Sequence, residues 1–226
     1  MTDVGAAYAE GRRRLTDLVS DLDDAGAATT VPTCPEWSVH DVIAHLTGVC
    51  ADVLAGKIDG VGTDPWTADQ VAARHDASLQ DVLVEWNEVA PAVEAMAGAF
   101  GAAGFQWVGD QAIHEHDVRG ALDRPGARDS ETIHVGLRFM APSFLEAVSS
   151  LGLPTLEVRV GERSWRSDEG EPAERLALDA FEALRAFCGR RSEEQLRVLP
   201  WTGDPDAYLA AFTWGPFTPP ATPVVE

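Results

Sequence analysis

The sequence predicts a mostly α-helical chain with a smaller α+β part. Over the first 150 or so residues, apolar side chains recur at helical spacing in segments punctuated by proline and glycine clusters. Near Gly152-Leu153-Pro154 the composition changes, and from Leu156 the pattern switches to the period of two of a half-buried strand. These observations divide the chain into a helical bundle over residues 1–152 and an α+β domain over residues 153–226.

Residues 4–22 carry Tyr8, Leu15, Leu18 and Leu22 on one stripe with no proline, which predicts the first helix. Pro32 and Pro35 interrupt the next stretch. Ser38 then caps a helix reaching about residue 54, in which Val39, Val42, Ile43, Leu46 and Val49 recur at three and four. A loop containing Asp59-Gly60, Gly62 and Asp64-Pro65 leads to a long core stripe of Leu79, Val82, Leu83, Trp86, Val89, Val93 and Met96. The Gly-rich residues 98–104 break it. Helical periodicity restarts over residues 105–122 and ends at Arg124-Pro125-Gly126. Residues 131–151 form another helix, which Pro142 is expected to kink or to restart. Leu156, Val158 and Val160 make a strand, with Ser164-Trp165-Arg166 as its hairpin partner. Pro172 is expected to open a helix through Leu176, Leu178, Phe181, Leu184 and Phe187 that Gly189 closes, followed by a helical turn over residues 192–198. An aromatic, proline-rich tail completes the chain.

Composition excludes several classes of function. Seventeen Lys and Arg against thirty-seven Asp and Glu leave a net charge of −20, so nucleic acid and anionic membrane surfaces are repelled. An apolar fraction of 45% rules out a disordered acidic chain. No stretch approaches a membrane span and residues 1–20 lack the apolar run of a signal peptide, so a cytoplasmic protein with no membrane partner is expected. The three cysteines form no C-x-x-C pair and are expected to be reduced thiols, with Cys34 packed in the interior. All basic residues except Lys57 are arginine, a bias that GC-rich codon usage produces.

Among the six histidines, two stand out. His45 shares the stripe of Val42, Leu46 and Val49 and so faces the interior, where its ring nitrogens need partners. His114 follows Asp110 by four residues, which stacks carboxylate and imidazole on one helix face. With His45 as third ligand the trio makes a candidate metal site that leaves positions open to water or substrate. The alternative is an ordinary surface pair of Asp110 and His114. His116 projects about 200° away from His114 around the helix, so it is expected to face outward or to support a ligand. His40, His75 and His134 are read as bystanders.

The run Val31-Pro32-Thr33-Cys34-Pro35-Glu36-Trp37-Ser38-Val39, with His45-Leu46, His114-Glu115-His116-Asp117 and Gly189-Arg190-Arg191-Ser192, resembles the mycothiol-dependent maleylpyruvate isomerase family of the DinB-like superfamily. The resemblance implies a DinB-like four-helix bundle that holds a divalent metal, usually zinc, followed by a small C-terminal α/β domain. It implies His45 and His114 as ligands, with Asp110 where the family has a glutamate. It also implies Arg190 as a functional arginine, for which Arg191 is the fallback. Asp117 either accepts a proton from a ligand imidazole, caps backbone, or pairs with Arg119 or Arg124. The thiol comes from the cosubstrate mycothiol, which also fits a GC-rich actinobacterial source. The expected activity is isomerisation or S-transfer on a small, electrophilic, anionic substrate, by a monomer or homodimer. The alternative is a non-catalytic DinB-like protein that binds metal or ligand in a stress response.

Overall fold

The computed structural model describes residues 3–226, which fall into two units. The first comprises residues up to 104, residues 114–126 and Glu226; the second comprises residues 105–113 and 127–225.

In the first unit, helix α1 (Val4–Val19) starts at Asp3, whose carboxylate accepts the Ala6 N–H. A single turn, α2 (Asp24–Ala27), leads to the antiparallel pair β1 (Thr30–Val31) and β2 (Cys34–Ser38). The prolines at 32 and 35, read as interruptions, are compatible with this pair. The register couples Thr30 to Ser38 and Val31 to Cys34, so the ladder needs no proline N–H. Helix α3 (Val39–Ala55) begins in a capping box: the Asp41 N–H donates to Ser38 Oγ while Asp41 Oδ2 accepts the Ser38 N–H. The expected Gly- and Asp-rich loop contains an unforeseen helix, α4 (Asp64–Ala72), which proline at its first turn helps to start. Helix α5 (Leu79–Met96) opens with a second capping box from Ser78 and Asp81. Helix α6 (Ala102–Ala121) runs unbroken through residues counted with each unit.

Helices α1, α3, α5 and the C-terminal half of α6 form the bundle. Tyr8, Leu15, Ile43, Leu46, Val82, Trp86 and Val93 are all buried in its core. Three polar atoms there satisfy one another: Trp86 Nε1 donates to Tyr8 Oη at 3.3 Å, and Tyr8 Oη lies 3.3 Å from Cys50 Sγ. Burial pushes the Cys50 thiol up to about 11.

The second unit is built on α7 (Glu131–Ser150) and a three-stranded sheet of order β4-β3-β5. Strand β3 (Leu156–Val160) pairs antiparallel with β4 (Arg163–Arg166), the expected hairpin, and parallel with β5 (Glu174–Leu178). The expectation of a helix through Leu176 and Leu178 is therefore corrected. Those leucines are buried while Arg175 before them and Ala177 between them are exposed, the alternation of a strand, and the helix begins only after Asp179 caps it. Helix α8 (Ala180–Phe187) packs on α7, with the Phe144 and Phe187 rings stacked at 4.5 Å. Helix α7 continues through Pro142 rather than restarting there. A close approach joins α6 and α7, since a Cβ on Gly136 would lie 2.6 Å from the Gly109 Cα. Helix α9 (Glu193–Arg197) is capped by Ser192, and Gln195 docks the tail through two bonds with the Val224 backbone. Helix α7 and the C-terminal elements share one core cluster, a grouping by packing that differs from the compositional division at residue 152.

No helix among the described residues is long and apolar enough to cross a membrane.

Candidate metal centre

Helix α3 carries His45 into the interior, where it is 3% exposed, and α6 presents His114, which is 7% exposed. The two rings meet edge-to-face with centroids 5.3 Å apart. Trp37, at the end of β2, lies against both, with its centroid 5.2 Å from His45 and 5.7 Å from His114. The strand-to-helix junction at Ser38 thus delivers an aromatic wall to the same place as the first imidazole.

Each imidazole is oriented by a partner at Nδ1. His45 Nδ1 lies 2.8 Å from Gln70 Oε1, and the Gln70 amide is itself set by its Nε2 donating to Asp52 Oδ2 at 2.9 Å. An amide oxygen can only accept, so His45 carries its proton on Nδ1. His114 Nδ1 lies 3.1 Å from Asp117 Oδ2, an acceptor as a carboxylate. A neutral ring held this way has its lone pair on Nε2, one of the two nitrogens through which an imidazole can ligate a metal.

Asp110 precedes His114 by one turn on the continuous α6 and is half-buried. One ligand atom each from His45, Asp110 and His114 lies within 4.8 Å of the others. Bonds of about 2 Å to a divalent cation place ligand atoms at most about 4 Å apart.

Among its expected alternatives, Asp117 lies beside the His114 imidazole and not with the arginines, since Arg119 pairs with Glu115 and Arg124 with Asp21. The outward-facing reading of His116 is corrected: it is buried, at 4% exposure. The interior packing expected of Cys34 is also corrected. It is half-buried at the start of β2, with Sγ 3.7 Å from Asp117 Oδ2. Arg190 is half-buried just past α8, its Nη1 donating to the Cys188 carbonyl oxygen at 2.9 Å. Arg191 is buried, with Nε 2.7 Å from Glu182 Oε1 and Nη2 2.9 Å from Oε2, a bidentate engagement that occupies its fork.

Sequence reasoning missed Gln70 and Asp52. Gln70 is 2% exposed on the unforeseen α4, and a lone glutamine in a polar stretch carries no periodic signal. The one hint was Gly48 within the apolar α3, since a Cβ there would lie 2.5 Å from the Gln70 Cβ. Glycine is what lets the two helices approach until Gln70 reaches His45.

A helical bundle in a chain that also carries a small α/β unit is the architecture of the DinB-like fold class. The family model described as the mycothiol maleylpyruvate isomerase N-terminal domain matches residues 8–124, more than half of the chain, and the chain belongs to that family. Two solved structures share the fold. One, a crystal structure of a histidine-to-alanine mutant of the mycothiol-dependent maleylpyruvate isomerase, aligns at TM-score 0.56 and 12% identity, covering 82% of this chain and 88% of that one. Another, of the mycothiol-dependent maleylpyruvate isomerase itself, aligns at TM-score 0.51 and 13% identity over 84% and 89%. No curated protein matches the sequence.

Proposed function

We propose that this protein is a metal-dependent enzyme that uses mycothiol to isomerise or S-conjugate a small, anionic electrophile. The observation that carries the reading is the pair of buried imidazoles whose Nδ1 positions are both held by acceptors, because that expense of buried polar groups serves ligation at Nε2. His45, Asp110 and His114 are the proposed ligands, and zinc the proposed ion, consistent with a nitrogen and oxygen donor set. A divalent ion lowers the pKa of a thiol bound beside it, supplying a thiolate at neutral pH.

The remaining work falls to this chain's own groups. Gln70 and Asp117 keep the Nδ1 protons in place and fix the ring planes. Trp37 covers one side of both imidazoles and excludes water there. Arg190 is the proposed partner of a substrate carboxylate, since a guanidinium can donate two parallel hydrogen bonds and the Arg191 fork is already engaged by Glu182. In a chain of net charge −20, such local positive groups are what draw an anion in.

The test is turnover. Metal-loaded protein with mycothiol and a panel of conjugated, carboxylate-bearing cis alkenes is expected to give isomer or thioether, followed by chromatography, with no product from His45→Ala. Stoichiometric metal without product across the panel would overturn the enzymatic reading in favour of a binding protein.

Gln70→Leu tests the orienting role separately. It keeps the bulk but removes the acceptor, and metal affinity measured by competition with a chromophoric chelator is expected to fall about 10- to 100-fold. An unchanged affinity would show that His45 needs no orienting partner.

A further inference from the structure

We propose that Cys34, His114 and Asp117 form a second cation position, suited to a thiophilic divalent ion such as zinc or cadmium and mutually exclusive with the position beside His45. The three residues offer sulfur, nitrogen and oxygen donors that lie within 4.8 Å of one another. Asp117 is the hub. Its Oδ1 accepts from Thr33 Oγ1 at 2.8 Å, which turns Oδ2 toward both Cys34 Sγ at 3.7 Å and His114 Nδ1 at 3.1 Å. The carboxylate is fully enclosed, so a cation there would meet a desolvated charge rather than a hydrated surface acid.

The backbone behind the trio is well held. Cys34 is paired with Val31 in the β1–β2 ladder, and the other two residues are three apart on α6. A mixed thiolate, imidazole and carboxylate set is one that zinc accepts, and the thiolate favours soft ions over magnesium or calcium. Binding releases the Cys34 thiol proton to solvent, and the His114 ring proton moves from Nδ1 to Nε2.

Exclusivity follows from His114. A neutral imidazole has one nitrogen lone pair, so while the ring keeps its proton it serves the His45 side through Nε2 or the Cys34 side through Nδ1, one at a time. The other two cysteines do not compete for this role. Cys50 is enclosed against Tyr8, and Cys188 is buried with its Sγ 3.6 Å from the Arg185 carbonyl oxygen.

Cadmium provides the readout, because thiolate ligation produces an ultraviolet charge-transfer band that imidazole and carboxylate do not. Titrating the intact protein is expected to give a saturable band of one thiolate per chain. It should be lost in Cys34→Ser and retained in His45→Ala, where it saturates at the same or a lower cadmium concentration. No band, or one undiminished in Cys34→Ser, would overturn the proposal. Should Cys34→Ser fail to fold, alkylation of Cys34 in the unaltered protein, mapped by mass spectrometry, decides. Cadmium is expected to slow it about tenfold or more, and an unchanged rate would equally overturn it. Because the band in His45→Ala does not depend on the first position, this outcome is separable from failure of the proposed enzymatic function.

Discussion

His114→Ala is expected to leave less than about a tenth of a metal ion per chain after dialysis and to abolish mycothiol-dependent turnover. Removing a partner that merely orients a ligand costs about 10- to 100-fold in metal affinity, and this substitution removes a proposed ligand itself. The loss should therefore exceed about 100-fold. The ring also forms one wall of the site, packing edge-to-face on His45 and tilted on Trp37, so its deletion opens a gap between them. Asp117 keeps the Thr33 hydroxyl as a donor, which limits the accompanying loss of stability. Elemental analysis of the purified variant, with circular dichroism to verify folding, checks the prediction. Stoichiometric metal in a folded His114→Ala protein would remove His114 from the ligand set.

The second large effect is on stability, and it comes from the adjacent residue. Glu115 is fully buried and accepts from two arginines: Arg14 of α1 through Nε at 3.1 Å and Nη2 at 2.8 Å, and Arg119 one turn along α6 through Nε at 3.1 Å and Nη2 at 3.0 Å. Breaking such a network by deleting one partner costs about 3–5 kcal/mol, because the remaining charges are left uncompensated. The arginine side chains are 21% and 14% exposed, so water screens part of that deficit. A loss near the lower end, about 3 kcal/mol, is expected for Glu115→Ala in urea unfolding. Glu115→Gln should cost less, since it keeps hydrogen-bond acceptance. Metal content of either folded variant should be unchanged. A loss below about 1 kcal/mol would reduce the network to the worth of a surface ion pair.

The contrast between these neighbours follows from helix geometry. Each residue turns about 100° from the last, so His114 and Glu115 serve different faces of α6. Asp117, three positions on, returns to the His114 side and holds its Nδ1. Of four consecutive buried polar residues, His114 and Asp117 thus hold each other on one face while Glu115 anchors α1 from another. Sequence alone could not make that division. It showed that Asp110 and His114 share a face, because the spacing of four fixes that, but not that Glu115 reaches across to Arg14, 101 residues away.

What the sequence determined by itself is whatever rests on local periodicity and capping. Its stripes and caps placed α1, α3, α5, α6 and α7, the interior direction of His45, and the β3–β4 hairpin, since in each the pattern and the local stereochemistry agree. Only the tertiary structure decided the rest. Leu176 and Leu178 became strand because β3 was available as a parallel partner, a non-local pairing that outweighs the helical reading of a short apolar run. Gln70 acquired its place at His45 because Gly48 lets α4 approach α3, and Cys34 turned toward Asp117 because the β1–β2 ladder holds it there. These are contacts between groups distant in the chain. No local pattern encodes them, since they exist only once the packed helices have brought their faces together.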